Sequence, residues 1–153
     1  MRLATRTAAF TPSPTLAITA RAKRMRAEGI DVLNFGAGEP DFDTPEHIKA
    51  AAVQALAEGF TKYTATAGID ELKDAVCVKL KRDNGVEYRW ENVIVSCGAK
   101  HTLYNLCMVL FQEGDEVLLP APYWVSYPEQ VRMAGAVPVP VGTAEADGFR
   151  VRV

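Results

Sequence analysis

The most informative stretch of this chain is Asn92-Val93-Ile94-Val95-Ser96-Cys97-Gly98-Ala99-Lys100-His101-Thr102-Leu103. Its apolar and β-branched residues at 93–97 predict a short buried strand, and its small residues at 96–99 predict a tight turn. Apolar residues then recur at helical spacing from Leu103 to Leu110, so the stretch continues into a predicted helix.

Strand, turn and helix in this order aim several free backbone N–H groups at one point, which also lies at the positive end of the helix dipole. Both features favour a bound anion, and a phosphate group suits them best. The alternative is an ordinary connection between a strand and a helix, in which Gly98 only permits tight packing.

Length and composition are those of a globular domain without a nucleic-acid or membrane function. The chain has 153 residues, of which 48% are hydrophobic and 24% charged. A net charge of −2 gives no electrostatic reason to expect nucleic acid. The longest apolar run, from Val117 to Pro128, is too short and too rich in proline to span a bilayer.

Charge is distributed unevenly along the first 60 residues. Residues 1–30 carry six basic side chains against Glu28 alone, whereas residues 31–60 carry six acidic side chains against Lys49 alone. The two blocks either pair across the fold or a subunit interface, or form separate solvated faces.

The three cysteines, Cys77, Cys97 and Cys107, are widely spaced in apolar surroundings and form no CxxC motif. Reduced, buried thiols in a cytoplasmic protein are therefore expected. The two histidines, His47 and His101, have no metal-ligand spacing, so no metal site is predicted.

The rest of the chain predicts alternating helices and short strands, which indicates an α/β fold with parallel strands. Helices are predicted from Ser13-Pro14 to Gly29, from a Thr44 cap to Gly59, from Ile69 to Gly85, and through Val131 to Gly135. Strands are predicted at 31–35, 116–120, 136–141 and 148–153.

Three loops contain further candidate site residues. The aromatic segment Ala121–Tyr127 follows a predicted strand, where open α/β sheets bind ligands. Gly36-Ala37-Gly38 would let backbone approach a ligand, although it does not extend into a dinucleotide fingerprint and an ordinary loop is the alternative. Tyr63 lies in a polar loop and is equally consistent with a half-buried tyrosine.

Taken together, these stretches resemble the N-terminal part of a class I pyridoxal-phosphate-dependent aminotransferase, and most closely the aspartate/prephenate aminotransferase branch. The matching segments occur in the family's order over nearly the whole chain. They are Gly36–Pro45, Lys62-Tyr63-Thr64, Gly68–Leu72, Gly98-Ala99-Lys100, Asn105-Leu106, Gly114–Val117 and Pro120–Pro128.

The resemblance implies fold type I of the pyridoxal-phosphate-dependent transferases, with a three-layer α/β/α large domain. Residues 1–44 would form an N-terminal arm and small-domain segment, and residues 45–153 the first, incomplete part of the cofactor-binding large domain. The implied activity is amino-group transfer between an amino acid, aspartate-like or aromatic, and a 2-oxo acid. The family further implies pyridoxal 5′-phosphate as cofactor and a cytoplasmic homodimer.

The resemblance also assigns roles to individual residues. Gly98-Ala99-Lys100 would hold the cofactor phosphate, and Trp124 would stack on the pyridine ring. Gly38 would lie against the substrate carboxylate. Tyr63 would reach across the dimer interface to the phosphate of the neighbouring subunit's cofactor.

Two substitutions depart from the family pattern. Ala99 stands where this branch usually has a second glycine, and it would be strained if that position required a positive φ. Thr11 stands where the branch usually has a lysine that recognises the second carboxylate of the substrate. The resemblance therefore implies weaker dicarboxylate specificity than in the branch as a whole.

The larger departure is length, since family members are more than twice as long. The lysine that forms the Schiff base is expected to be missing, and neither Lys100 nor Lys62 would replace it. The chain alone is therefore expected to be inactive and, because a sheet cut in mid-course exposes apolar strands, to associate. A pyridoxal-phosphate-dependent lyase or decarboxylase, and a non-catalytic remnant or dimerising fragment, are the alternatives.

Overall fold

Two parallel strands, β1 (Glu116–Ala121) and β2 (Val137–Gly142), form the sheet of this chain. Glu116 aligns with Val137 and Ala121 with Gly142, so the strands are in register over their whole length. The computed structural model describes residues 2–5, 7, 11–36 and 38–152. It divides into two compact units, one made of Met1–Gly38 with Cys97–Val153 and the other of Glu39–Ser96.

Helix α5 (Ser126–Met133) connects the two strands, as the parallel arrangement requires. A small core forms where this helix meets α4 (Ala99–Leu110) and the sheet, around the buried residues Cys107, Val131 and Ala136. Phe111, Val117 and Ala134 pack against these three residues. The core therefore holds α4 and the amino end of β1 together in one unit.

Helix α1 (Pro14–Ala27) belongs to the same unit and begins as predicted. The Ser13 hydroxyl accepts the N–H of Leu16 at 3.4 Å, and Pro14 occupies the first helical position. Gly36 lies against this helix: an added Cβ there would come within 2.7 Å of Ile18 Cγ2. A glycine is thus required at position 36 by close approach.

The second unit contains α2 (Glu46–Ala57), α3 (Asp70–Asn84) and a 3₁₀ turn at Trp90–Asn92. The predicted Thr44 cap is wrong, because α2 begins one residue later, with Pro45 at the N-cap and no side-chain cap. None of the residues of α2 is buried, and Ile48 and Leu56 are at least half-exposed. Helix α3 ends as predicted, with Gly85 in the left-handed conformation.

A buried lysine joins α3 to the 3₁₀ turn. The Lys73 ammonium lies 2.8 Å from Asp70 Oδ1 and 4.3 Å from the centroid of the Trp90 ring. The side chain is only 4% exposed, so its charge is balanced by the carboxylate and the aromatic face. The sequence pattern of α3 gave no indication of this lysine, because a charged residue between apolar positions resembles a solvated one.

Three predicted strands are absent from the described residues. No strand forms at 93–96 or at 31–35. None forms at 148–152 either, and Val153, the last residue of that predicted strand, lies outside the described residues. A strand requires a hydrogen-bonded neighbour over several residues. Segment 93–96 makes such a contact only once, where the Val95 N–H donates to the Ala67 carbonyl at 2.9 Å. The predicted strands at 116–120 and 136–141 are confirmed with slightly longer or shifted bounds.

Several apolar side chains of the sheet and of α4 face solvent. Leu118 is 66% exposed and Val137 52%, while Val117, Val139 and Val141 are half-buried. The predicted exposure of this surface is therefore confirmed, and the association of the chain stays a prediction. Within the part of the chain that the structure covers, no helix combines the length and apolarity needed to cross a bilayer.

Candidate anion and cofactor site

The turn before α4 has a conformation that only glycine adopts readily. Gly98 is the N-cap of the helix, with φ 87° and ψ 167°. The N-cap conformation places the chain outside the helix at Gly98 and inside it at Ala99. Ala99 does not have a positive φ, so the strain considered for an alanine at this position is not present.

Three backbone N–H groups at this turn are free to bind a ligand. The Gly98 carbonyl accepts the N–H of His101 at 3.1 Å and that of Thr102 at 3.2 Å, which begins the hydrogen-bond ladder of α4. The N–H groups of Gly98, Ala99 and Lys100 have no acceptor within the described residues, as expected for the first turn of a helix. Glycine has no side chain with which to cap them.

A hydrogen bond from the preceding residue completes the turn. The Cys97 N–H donates to Nδ1 of His101 at 3.1 Å. The imidazole thereby accepts the backbone N–H that precedes the turn, and the next three N–H groups keep no partner among the described residues. This role of His101 was not predicted from the sequence. Its position could have indicated the role, because a side chain at the third helical residue reaches back to the helix start in a capping box.

Lys100 and Trp124, two of the predicted cofactor residues, lie side by side. The Lys100 ammonium is 5.2 Å from the centroid of the Trp124 ring, and the indole is 42% exposed. Gln130 Nε2 of α5 donates to the Lys100 carbonyl at 2.8 Å, which ties the start of α4 to α5. A positive side chain, free N–H groups and an open aromatic face are thus combined at one place.

Thr11 lines a pocket of about 510 Å³ in the same unit. Tyr123 and Val125, the residues on either side of Trp124, also line it, together with Tyr104 and Glu129. None of the described residues around this pocket is a lysine, arginine or histidine. Glu129 pairs through Oε1 with Arg132 at 2.6 Å, whereas its buried Oε2 has no hydrogen-bond partner among the described residues. A carboxylate in this pocket would therefore meet no cation among the described lining residues.

The remaining predicted site residues are exposed. Tyr63 belongs to the second unit, and its side chain is fully accessible to solvent. An added Cβ at Gly38 would meet no atom within 4 Å, so nothing within its own surroundings requires a glycine there. Ala37, between the two glycines of that motif, lies outside the described residues. The roles of Tyr63 and Gly38 stay predictions.

The three thiols are free but differ in environment. Cys97 is exposed, which corrects the prediction that all three are buried, while Cys77 is half-buried and Cys107 buried. Burial raises the pKa of the Cys107 thiol, because the low-polarity surroundings disfavour the thiolate. Among the described residues, no three His, Cys, Asp or Glu side chains are grouped so as to hold a metal ion.

Comparison with known proteins gives consistent matches. Residues 30–153 match the family described as aminotransferase class I and II. The probable aspartate/prephenate aminotransferase of Aquifex aeolicus is 55% identical over 149 residues, which are 97% of this chain and 38% of that protein. The aspartate aminotransferase of Bacillus subtilis is 54% identical over 151 residues, which are 99% of this chain and 38% of that protein.

A solved structure matches over the same span. The aspartate aminotransferase from Thermus thermophilus with maleate superimposes with a TM-score of 0.94 at 49% identity. The match covers 99% of this chain and 40% of that one. The chain thus spans about two fifths of the length of the relatives it matches.

Proposed function

Because this chain belongs to the class I and II aminotransferase family, we propose that it provides the cofactor-phosphate site of an enzyme that moves an amino group between an amino acid and a 2-oxo acid. The cofactor would be pyridoxal 5′-phosphate. The observation that carries the proposal is that the free N–H groups of Gly98, Ala99 and Lys100 lie at the start of α4, where the Lys100 ammonium is beside the Trp124 ring.

The residues present fit this cofactor. A phosphate dianion needs several donors and positive charge, which the N–H groups, the helix dipole and the Lys100 ammonium supply. A flat aromatic ring needs an aromatic face, which Trp124 exposes to the extent of 42%. Gly98 lets the backbone turn towards the phosphate, because its φ of 87° is open to glycine and strained for other residues.

Each of the site residues has a distinct role in this proposal. The three N–H groups bind and fix the phosphate, so that the rest of the cofactor is held in one orientation. Trp124 covers one face of the ring and excludes water from it. When bound, the cofactor supplies an electron sink that stabilises negative charge on the substrate carbon. Gly38 would lie against the substrate carboxylate, and Tyr63 would contact the phosphate site of a partner subunit in a homodimer.

The substrate preference follows from the pocket beside Trp124. Thr11 offers a hydroxyl, and the pocket walls offer aromatic rings and the Glu129 carboxylate. A second substrate carboxylate would find no cation among the described lining residues, so amino acids with an uncharged or aromatic side chain would be favoured over aspartate. The related proteins are named for aspartate and prephenate, and this chain would differ from them in this respect.

The chain alone would bind the cofactor without catalysing transfer. Neither Lys100, whose ammonium lies beside Trp124, nor Lys62, in a loop of the second unit, would provide the Schiff-base amine. Incubation with pyridoxal 5′-phosphate, aspartate and 2-oxoglutarate should yield no glutamate above a cofactor-only control. Turnover that disappears on Lys100→Ala would instead make Lys100 the anchor.

Calorimetric titration with two ligands tests the phosphate site. Pyridoxal 5′-phosphate should bind, and pyridoxal, which lacks the phosphate, should bind at least about tenfold more weakly because charge-assisted hydrogen bonds are lost. Equal affinity for the two ligands would show that the ring alone is recognised, and the proposed phosphate site would be wrong.

A further inference from the structure

His101 holds the backbone on the entering side of the phosphate turn. It is the third residue of α4, the position from which a Glu or Gln side chain reaches back to the helix start in a capping box. Here the acceptor is Nδ1 of the imidazole, and the donor is the Cys97 N–H, one residue before the N-cap, at 3.1 Å. Because Nδ1 accepts a hydrogen bond from the backbone, it carries no proton of its own.

On the other side, the helix itself holds the turn. The Gly98 carbonyl is fixed by the N–H groups of His101 and Thr102. The Ala99 N–H belongs to the same planar peptide unit as that carbonyl, so its direction is fixed as well. The Gly98 N–H belongs to the peptide unit between these two fixed units, the one that contains the Cys97 N–H and the one that contains the Ala99 N–H. Its direction depends on the torsions of Cys97 and of the conformationally free Gly98.

We propose that His101 is a positioning residue of the phosphate site: its neutral imidazole anchors the Cys97 N–H and thereby directs the Gly98 N–H towards the ligand. This inference rests on the proposed function, because it assigns a role relative to the phosphate. His101 acts through the backbone and does not itself contact the phosphate. Removing the imidazole would leave the helix intact and allow the peptide unit before Gly98 to rotate.

The acceptor chemistry decides which substitutions are tolerated. Gln at the third helical position carries an amide oxygen that accepts a backbone N–H in capping boxes, so His101→Gln should keep the anchor. His101→Ala removes the acceptor. His47, an exposed residue of α2, provides the matched control, because His47→Ala removes an imidazole from the other unit.

Binding is measured on the full chain with pyridoxal 5′-phosphate and with inorganic phosphate. His101→Ala should weaken both about 3- to 10-fold, which is the effect of one hydrogen bond on a binding constant. His101→Gln should bind within about twofold of the unchanged chain, and His47→Ala should bind as the unchanged chain does. Equal binding by His101→Ala, or equally weak binding by His101→Gln, would overturn the proposal. Circular dichroism of each variant checks that α4 is retained.

Nitrogen-15 spectra of the same proteins give a readout independent of any ligand. The His101 Nδ1 signal should be that of an unprotonated, hydrogen-bonded nitrogen, and the Cys97 amide should be slowed in hydrogen exchange until His101→Ala removes the acceptor. A protonated Nδ1 in the neutral imidazole would overturn the anchor itself. If the anchor is present but the unchanged chain binds neither ligand, the proposed function is wrong and the positioning role is lost with it.

Discussion

The Lys100 ammonium lies 5.2 Å from the centroid of the Trp124 ring, although Lys100 is near the start of α4 and Trp124 follows β1. Their proximity shows that the N-terminus of α4 and the loop after β1 lie together in this unit. This is the arrangement in which open α/β sheets hold their ligands, at the carboxyl ends of the strands. A cation over an aromatic face also keeps the Trp124 ring in place.

The Trp124 ring is predicted to contribute to cofactor affinity as an aromatic surface. Trp124→Ala should weaken binding of pyridoxal 5′-phosphate by about 1 kcal/mol, the value of an aromatic pair beyond its area, whereas Trp124→Phe should keep most of it. Titration calorimetry measures both, with Trp90→Phe as the control for a tryptophan in the other unit. An unchanged affinity in Trp124→Ala would show that the cofactor ring does not stack on Trp124.

Neither Gly98→Ala nor Ala99→Gly is predicted to stabilise the chain, but for different reasons. Gly98→Ala should lower the free energy of unfolding by about 1–3 kcal/mol, because its φ of 87° and ψ of 167° are open essentially to glycine alone. Ala99→Gly should give no gain, since Ala99 is helical and glycine is the poorer helix former. Urea unfolding measures the free energy of unfolding of both variants and of the unchanged chain. A more stable Ala99→Gly chain would show that alanine is strained at position 99 after all.

Thr11→Lys is predicted to improve the use of aspartate in the enzyme of full length. The new ammonium would supply a cation, which none of the described lining residues provides. The ratio of kcat/KM for aspartate to that for alanine should rise about tenfold, the equivalent of about 1.4 kcal/mol. Thr11→Gln, of similar length without charge, is the matched control and should leave the ratio unchanged. If the lysine variant behaves like the glutamine variant, position 11 does not face the substrate.

Lys73 is predicted to stabilise the second unit by packing more than by its charge. Lys73→Met fills the same space without a buried charge, and its free energy of unfolding should stay within about 1 kcal/mol of the unchanged chain. Lys73→Ala should lose about 2 kcal/mol, because the stem and the contact with Trp90 are both removed. Denaturant unfolding compares the two. A methionine variant as unstable as the alanine variant would show that the ammonium itself is needed.

The sequence predicted the family, the α/β class and the five helices, because caps, turns and helical spacing are local signals. Ser13-Pro14 at the start of α1 and Gly85 at the end of α3 are examples in which the residue type alone sets the boundary. The matches to aminotransferases confirm the family, and those to solved structures confirm the fold.

Predictions that depended on distant partners were less successful. Residues 93–96 have the composition of a strand, but a strand exists only with a hydrogen-bonded neighbour, which composition does not specify. The Lys73–Trp90 contact and the His101 anchor were missed for the same reason: both depend on where a side chain points after folding. By contrast, the free N–H groups at the start of α4 were predictable, because they are backbone groups at a helix start.

The most direct test of the cofactor-phosphate site is the response of three amide signals to the cofactor. In nitrogen-15 spectra of the chain, the N–H groups of Gly98, Ala99 and Lys100 should shift downfield when pyridoxal 5′-phosphate or inorganic phosphate is added, because they become hydrogen-bond donors to an anion. Pyridoxal without phosphate should leave these three signals in place. Unchanged signals at Gly98–Lys100 with saturating pyridoxal 5′-phosphate, or shifts confined to other residues, would contradict the site.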